Sequence, residues 1–484
     1  MEWTKEERYR PYSAMSKTEE SRLLHVVDHA PWRQHYHIQP PTGLLNDPNG
    51  FCFYNGQYHL FYQWFPYGAV HGLKHWYHTT STNLVLWQGQ GVAIEPEESF
   101  ESHGAYSGSG IVVDEQLYLL YTGNERDSNW ERTPNQCLAI MKADGSIEKH
   151  PSPVVEGSPP GYTEHVRDPK VWQENDQYYF VIGAQREDIT GCALLYSSTD
   201  LLDWTLVGEI NTSLDNFGYM WECPDYFELD GHGVLLFCPQ GLEAKGDAYR
   251  NIFQSGYILG SKLNVSDGSM SHGPFRELDH GFDFYAPQTT TCPDGRRILI
   301  GWMGLPDRSV PTERDEWAHC LTIPRELTIS GERLLQNPVA ELKTQRGAST
   351  HFSDTTTRTF GHVYEAYVTF TPGETSSTYG INMRTSESEQ TVLTYEMATK
   401  QLTLDRSLSG EIPATSEGTT RALNLTEHCH TLHVFMDHSS VEIFVNGGEA
   451  VFTSRIFPSE GATGFNTFTN DTNVTIQGTQ WEIF

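Results

Sequence analysis

The stretch Asn55-Gly56-Gln57-Tyr58-His59-Leu60-Phe61-Tyr62 joins a polar turn to a strand rich in aromatic and aliphatic residues. The same phrase begins again at residues 114, 175, 231 and 294, at offsets of 59, 61, 56 and 63 residues. A near-constant period indicates that one supersecondary unit is repeated. Five such units predict an all-β fold, a five-bladed β-propeller whose blades are four-stranded sheets.

A short polar motif precedes each phrase by seven to nine residues. Equivalent positions in a closed ring of blades face the central axis, so the five motifs are expected to meet in one funnel. Like charges at short range destabilise a fold, and a carboxylate cluster at matched positions therefore indicates acid, base or nucleophilic chemistry. The competing interpretation is that each motif only starts a turn. In chain order the motifs contain Asp47, Ser107, Asp168, Glu222 and Tyr285.

Two of these carboxylates suit glycoside hydrolysis, which needs one carboxyl group on each side of the bond that breaks. Asp47 is predicted to be the nucleophile, because the amides of Asn46 and Asn49 can hold it ionised by hydrogen bonding. Glu222 is predicted to be the acid/base. Its apolar sequence neighbours within residues 221–224 favour the protonated form that a general acid needs.

The third carboxylate, Asp168, directly follows Arg167. The adjacent guanidinium is expected to keep Asp168 ionised. A fixed, ionised carboxylate can hold substrate hydroxyl groups and stabilise the positive charge of an oxocarbenium-like transition state. We therefore predict that Asp168 is a transition-state stabiliser.

The composition of the chain limits the classes of protein to which it can belong. The 484 residues include 42 Gly and 25 Pro, which is typical of a β-rich protein with many tight turns. A net charge of −31 disfavours nucleic acid and anionic membranes as partners. The first ten residues lack the apolar core of a secretory signal, which predicts a cytoplasmic protein. Eight singly spaced cysteines indicate reduced thiols.

The chain divides into four predicted segments. Residues 1–33 form an N-terminal extension with one short helix, in which Ser16 and Glu19 have capping-box spacing and Leu23, Leu24 and Val27 form an apolar stripe. Short alternating strands near the C-terminus are typical of a β-sandwich. The predicted segments are the extension 1–33, the propeller 34–337, a linker 338–350 and the sandwich 351–484.

The motifs resemble those of glycoside hydrolase family 32, and the resemblance runs from about Tyr36 to the C-terminus. It implies a propeller followed by a sandwich, and retaining cleavage of β-fructosides such as sucrose or sucrose 6-phosphate, with no metal or other cofactor. It implies the same roles for the three carboxylates as the chemistry above. The stretches that carry it are 46–50, 106–109, 167–169, 222–225 and 437–444.

The resemblance also implies which side chains hold the sugar. Sugar contacts are implied for Asn46, Gln63, Ser107, Arg167 and Trp302. Three further residues that belong to the motifs or lie near them are candidate substrate-binding residues: Trp76, Tyr106 and Tyr285.

One departure from the family pattern bears on the substrate. Many family members carry a tryptophan where His71 stands, and the stretches 69–76, 102–106 and 121–126 look like those of members that act on phosphorylated sucrose. A phosphate needs cationic partners, although each cation taken singly also fits an ordinary surface charge. The candidate phosphate-binding residues are His71, Lys74, Arg126 and Arg132.

Alternative functions remain on the same scaffold. Fructan hydrolysis and transfructosylation use the same motifs and differ in the donor or the acceptor. A non-catalytic sugar-binding propeller usually repeats one site in every blade, whereas the motifs of this chain differ from blade to blade. The expected partner is a small sugar, bound by a monomer or a homodimer.

Overall fold

The computed structural model describes residues 3–373 and 376–484. No helix within these ranges is long and apolar enough to cross a membrane. The N-terminal extension contains two α-helices, with a 3₁₀ helix Tyr12–Ala14 between them, where the sequence predicts one helix. The hydroxyl of Ser16 caps the second by accepting the Glu19 N–H at 3.2 Å. Leu24 lies outside the buried stripe and is exposed, because it is turned about 100° from Leu23. The helices are α1 Lys5–Arg8 and α2 Lys17–Asp28.

The first two blades are antiparallel sheets built from consecutive strands. Blade one contains β1 Gly43–Tyr54, β2 Gln57–Phe65, β3 His75–Ser81 and β4 Gln88–Ile94. Blade two contains β5 Ala105–Val113, β6 Gln116–Arg126, β7 Arg132–Met141 and β8 Ile147–Lys149. A short 3₁₀ helix, Ser99–Glu101, lies between the two blades.

The next two blades repeat this plan. Blade three contains β9 Tyr162–Glu174, β10 Gln177–Arg186, β11 Gly191–Ser198 and β12 Thr205–Glu209. Blade four contains β13 Met220–Leu229, β14 His232–Gln240, β15 Gly256–Gly260 and β16 Arg276–Glu277.

The fifth blade joins the ring back to the first. Its sheet has the order β17-β18-β21-β22, with β20 paired to β18, whereas β19 pairs in parallel with β1 of blade one. The chain of the fifth unit thus becomes an edge strand of the first blade. The strands are β17 Tyr285–Thr291, β18 Arg297–Met303, β19 Trp317–Ala318, β20 Cys320–Leu321, β21 Arg325–Ser330 and β22 Arg333–Pro338.

The repeated phrase is the turn and the second strand of each blade. In blade one, Asn55 and Gly56 have φ of 48° and 77°, and Tyr54 faces Gln57 across a two-residue loop. Positive φ at both loop positions is the geometry of the tight hairpin turns that Asn-Gly favours. The same left-handed pair joins the first two strands of blades two and three, at residues 114–115 and 175–176.

Each innermost strand has a β-bulge at its polar motif. The pairing register shifts between Leu45 and Pro48 in β1, and at the matching place in β5, β9, β13 and β17. A bulge bends the strand and re-aims a side chain, and a proline, which has no N–H to donate, is tolerated there. The five bulges direct the motif residues toward the axis.

The C-terminal part consists of two six-stranded sheets, so the predicted five-bladed propeller followed by a sandwich is confirmed. β23 begins at Arg346, within the predicted linker 338–350, and pairs with the last strand of the chain. A 3₁₀ helix, Ala340–Gln345, precedes it. The strands are β23 Arg346–Phe352, β24 Arg358–Thr359, β25 Tyr364–Thr371, β26 Thr378–Thr385, β27 Gln390–Glu396, β28 Gln401–Leu408, β29 Thr420–Asn424, β30 Thr431–Asp437, β31 Ser440–Val445, β32 Ala450–Arg455, β33 Gly464–Thr469 and β34 Thr475–Ile483.

Buried ion pairs join the sandwich to the propeller. His37, just before β1, lies 2.7 Å from Asp437 and 3.0 Å from Glu442. Burial lowers the pKa of His37, but the hydrogen bonds and charges of the two carboxylates raise it to about 9. Arg325 pairs with Glu442 at 2.6 Å and with Asp279 at 3.1 Å. Removing one member of such a buried group leaves an uncompensated charge, so this network fixes how the sheets pack.

Candidate active site

The three predicted carboxylates meet at one residue, Cys223. Its thiol sulfur lies 3.5 Å from Asp47 Oδ2 and 3.6 Å from Asp168 Oδ2, and its backbone N–H donates to Asp168 Oδ2 at 2.9 Å. Cys223 directly follows Glu222 and has φ of 47° at the bulge of β13. Strands from blades one, three and four therefore bring their carboxylates into a single cluster, as the repeat predicts.

Asp47 accepts hydrogen bonds from two neighbours. Ser107 Oγ donates to Oδ2 at 2.6 Å, and Asn46 Nδ2 donates to Oδ1 at 3.1 Å. Burial raises the pKa of Asp47, and the charge of Glu222 adds to this, whereas the two hydrogen bonds oppose it. The prediction that Asn49 holds this carboxylate is wrong, since its amide donates to the Asp47 backbone carbonyl.

Glu222 is enclosed by polar groups. Arg167 donates from Nε and Nη2 to Oε1 at 2.9 and 2.7 Å. Gln240 Nε2 and Tyr285 OH donate to Oε2 at 2.8 and 2.7 Å. The predicted apolar surroundings are therefore wrong. Trp221 points the other way, into the core, because successive side chains of a strand face opposite sides.

Asp168 is not paired with its sequence neighbour. The guanidinium of Arg167 binds Glu222, and Asp168 has φ of 73° at the bulge of β9, which turns it to the other side. Burial raises the pKa of Asp168 to about 7, against the lowering effect of the Arg167 charge. The Arg167 charge favours the ionised form of Asp168, as predicted, but its guanidinium donates hydrogen bonds to Glu222.

The implied sugar-contact residues near Asp47 form one network. Asn46 Nδ2 donates to Gln63 Oε1 at 2.8 Å, and Gln63 Nε2 donates to Ser107 Oγ at 2.6 Å. The Gln63 amide thus contacts both side chains that donate to Asp47, Asn46 and Ser107, and all three are buried.

The aromatic candidates differ in position. Tyr106 is half-buried, and its hydroxyl accepts from Asn124 Nδ2 at 3.1 Å. Trp76 is fully buried and donates from Nε1 to the Tyr106 carbonyl, so it positions the backbone beside Ser107, and its substrate contact stays a prediction. Trp302 is also buried, 6.2 Å from the Tyr285 ring, and its Nε1 has no hydrogen-bond partner among the described residues.

The four candidate phosphate ligands separate into two pairs. Lys74 is 5% exposed, and its Nζ donates to Asn46 Oδ1 at 2.7 Å and lies 3.0 Å from His71 Nδ1. Burial lowers the pKa of Lys74 to about 7, although the charge of Asp47 raises it. His71 and Lys74 therefore belong to the hydrogen-bond network around Asp47.

The second pair, Arg126 and Arg132, faces across the hairpin of β6 and β7. Arg126 donates to the Trp130 carbonyl at 2.7 Å, and Arg132 lies 3.2 Å from His165 Nδ1. In the described part of the chain neither forms a salt bridge, and the Nε atoms of both are buried without a hydrogen-bond partner. Directly opposed like charges destabilise a sheet unless an anion neutralises them.

Two residues of the site escape sequence reasoning. Gln240, at the end of β14, contacts Glu222 because the strand pairing places it beside β13. Cys223 contacts both Asp47 and Asp168. It is not among the site residues predicted from the sequence, although it lies inside a motif that the sequence singles out. No local sequence pattern identifies Gln240 as a site residue. Cys223 lies in one of the five motifs that recur at matching positions, and this recurrence could have identified it.

The fold and the carboxylate cluster together define a glycoside hydrolase of the β-propeller class. Residues 37–338 match the description "Glycosyl hydrolases family 32 N-terminal domain", and residues 332–482 match "Glycosyl hydrolases family 32 C terminal". The chain belongs to glycoside hydrolase family 32, and the resemblance seen in its motifs is confirmed.

Relatives and solved structures agree with this assignment. The sucrose-6-phosphate hydrolase of Staphylococcus xylosus is 46% identical, covering 100% of this chain and 99% of that protein. The structure of sucrose-6-phosphate hydrolase from Lactobacillus gasseri has a TM-score of 0.95 at 35% identity, over 100% and 99% of the two chains. A Bombyx mori family 32 β-fructofuranosidase in complex with sucrose has a TM-score of 0.85 at 33% identity, over 97% and 99%.

Proposed function

We propose that this enzyme hydrolyses the β-fructosyl bond of sucrose 6-phosphate and of sucrose with retention of configuration. The observation that carries the proposal is the meeting of Asp47, Asp168 and Glu222 around Cys223 and Arg167. Relatives named sucrose-6-phosphate hydrolase, 46% and 42% identical over 100% and 94% of the chain, support this substrate.

The first step forms a fructosyl–enzyme ester. Asp47 attacks the anomeric carbon of the fructosyl unit while Glu222 donates a proton to the departing glucosyl oxygen. Attack needs the ionised form of Asp47, which the hydrogen bonds from Ser107 and Asn46 favour. Arg167, Gln240 and Tyr285 hold both oxygens of Glu222 and so fix its position.

In the second step Glu222 acts as the base and Asp47 as the leaving group. Glu222, now ionised, takes a proton from water, and the water oxygen attacks the anomeric carbon and releases Asp47. Positive charge develops on the sugar in both transition states. Asp168, held by the Cys223 N–H, is placed to stabilise that charge in its ionised form.

The arginine hairpin supplies the phosphate preference in this proposal. A phosphate monoester presents three acceptor oxygens, and guanidinium groups bind such oxygens in pairs. Arg126 and Arg132 stand side by side with no carboxylate partner in the described chain, on a protein whose net charge is −31. An unneutralised cation pair on so acidic a protein fits an anionic substrate.

The oxidation state of the cysteines indicates the cellular compartment of the enzyme. All eight are free and none forms a disulfide, as is usual for proteins kept under reducing conditions. We therefore place the enzyme in the cytoplasm. Detection of activity only in the soluble lysate of the producing cells, and none in the medium, tests this placement.

Kinetics with both sugars test the main proposal. Asp47→Asn should abolish turnover of both while leaving sugar binding measurable by calorimetry, and retained turnover would refute its role.

Arg126→Gln and Arg132→Gln should each lower the ratio of kcat/KM for sucrose 6-phosphate to kcat/KM for sucrose by about tenfold or more. Arg22→Gln, an exposed arginine on α2, is the matched control and should keep the wild-type ratio.

A further inference from the structure

We propose that the N-terminal segment Thr4–Tyr9 forms one wall of the phosphate-binding pocket and helps to determine the preference for a sugar 6-phosphate. Lys5, Arg8 and Tyr9 are the specificity-determining residues in this inference. It rests on the proposed function, since it assigns further groups to the site that Arg126 and Arg132 begin.

The segment is anchored to blade one on both sides of α1. Ahead of the helix, the Trp3 ring packs edge-on against Phe65 with centroids 5.7 Å apart. At its end, the Arg8 carbonyl accepts the Leu73 N–H at 2.6 Å, and Arg8 Nη1 donates to the His71 carbonyl at 3.2 Å. A segment held at two ends presents its middle residues in a fixed place.

Lys5 and Tyr9 of the segment contact aromatic side chains at the arginine hairpin of blade two. The Tyr9 ring lies 5.1 Å from His103 and 5.3 Å from Trp130, centroid to centroid. Lys5 Nζ lies 3.8 Å from the centroid of the Trp130 ring, and the Arg126 guanidinium lies 5.0 Å from the same centroid. Trp130 thus joins a cation of the segment to a cation of the hairpin.

The charges of the segment and the hairpin act on one another. Burial raises the pKa of Tyr9, and the charges of Arg126, Arg132 and Arg8 lower it. The Tyr9 side chain therefore lies within the field of cations from both elements. Its hydroxyl is a neutral donor that an anion in this field can use.

The cations of the segment and the hairpin lack a directly paired carboxylate among the described residues. Lys5, Arg8, Arg126 and Arg132 take part in no salt bridge within the described ranges. Two acids of the hairpin have other partners: Glu125 accepts from Asn135 Nδ2 at 3.0 Å, and Asp127 accepts the backbone N–H groups of its own turn. Burial lowers the pKa of Arg132, and the charge of Glu164, which forms no salt bridge with Arg132, opposes this.

A dianionic phosphate group fits this arrangement. Arg132 faces Tyr106, with its guanidinium 5.8 Å from the ring centroid, and Lys5, Arg126 and Tyr9 all contact the Trp130 ring of the same hairpin. Tyr106 directly precedes Ser107, the donor to Asp47. A ligand that reaches from the carboxylates to these cations must carry its phosphate on the leaving sugar, because Asp47 takes the fructosyl unit.

Two substitutions in the segment test the inference on the full-length enzyme. Lys5→Gln should lower the kcat/KM ratio of sucrose 6-phosphate to sucrose about threefold, as for loss of one exposed charge. Tyr9→Phe, which keeps the ring on His103 and Trp130, should lower it about two- to tenfold. Both should weaken competitive inhibition by inorganic phosphate. Lys17→Gln, on the exposed face of α2, should keep the wild-type ratio.

The outcomes separate this inference from the proposed function. Equal losses with both sugars, or an unchanged ratio in both segment variants, overturn the inference. If Arg126→Gln still lowers the ratio in that case, the proposed phosphate site stands and only the role of the segment fails. An unchanged ratio in Arg126→Gln removes the phosphate site itself. Lys5 is exposed, so Lys5→Gln decides the question even where Tyr9→Phe does not fold.

Discussion

Substitution of Ser107 by alanine tests how the enzyme keeps its nucleophile ionised. Ser107 Oγ donates to Asp47 Oδ2 at 2.6 Å, and this hydrogen bond lowers a pKa that burial has raised. A hydrogen bond to a charged group contributes about 1.5–3 kcal/mol. One pKa unit corresponds to about 1.36 kcal/mol, so the pKa of Asp47 should rise by about one to two units in Ser107→Ala.

The rise in the pKa of Asp47 predicts the direction in which the pH profile of activity moves. Because Asp47 attacks only when ionised, the acid limb of kcat/KM against pH, to which Asp168 also contributes, should move upward by up to about one to two pH units. Sucrose is the substrate for this assay, because a phosphate monoester itself titrates at about pH 6.

Ser109→Ala is the matched control on the same strand. Ser109 Oγ donates to the Pro169 carbonyl at 2.8 Å and accepts the Val171 N–H at 2.9 Å, with no carboxylate in contact. This variant should lower the melting temperature and leave the acid limb in place. An unmoved acid limb in Ser107→Ala, or an equal shift in Ser109→Ala, would refute the reasoning.

Three further predictions follow from single contacts. Tyr285→Phe removes the 2.7 Å hydrogen bond to Glu222 and should lower kcat/KM for sucrose about tenfold; an unchanged value contradicts its orienting role. Lys74→Met removes a charge that lowers the pKa of Asp47, so the acid limb for sucrose should move upward, and a downward shift argues against this coupling. The pKa of His37 is raised from 6.5 to about 9, so its stabilisation is complete below pH 6.5 and is lost as the pH rises through about 9. The fall in melting temperature of His37→Gln should therefore be larger below pH 6.5 than above pH 9, and equal falls speak against the buried ion pairs.

Much of the fold is predictable because its signals are local. The Asn55-Gly56 turn takes positive φ at both residues, and such a turn depends on two residues and their immediate neighbours. The spacing of the turns then predicts the blades, and the phase of the motifs predicts which carboxylates meet. The additional helix α1 and the early start of β23 were not predicted from the sequence, because short elements with weak patterns depend on what they pack against.

The errors in the candidate site share one cause. Each prediction about ionisation used the nearest residues in sequence: Asn49 for Asp47, residues 221–224 for Glu222, and Arg167 for Asp168. In a strand, however, neighbouring side chains point to opposite faces, and a β-bulge changes their direction further. Ser107, Arg167, Tyr285 and the Cys223 N–H reach the carboxylates from other blades instead.

The sequence by itself determined the number of blades, the sandwich after them, the family and the three carboxylates, because these depend on turns, alternation and spacing along the chain. The tertiary structure alone decided that Arg167 holds Glu222, that Lys74 serves the network of Asp47, and that the segment Thr4–Tyr9 lies beside the hairpin of Arg126. Those contacts join residues far apart in the sequence. Only the closure of the ring and the packing of the N-terminus against it bring them within bonding distance.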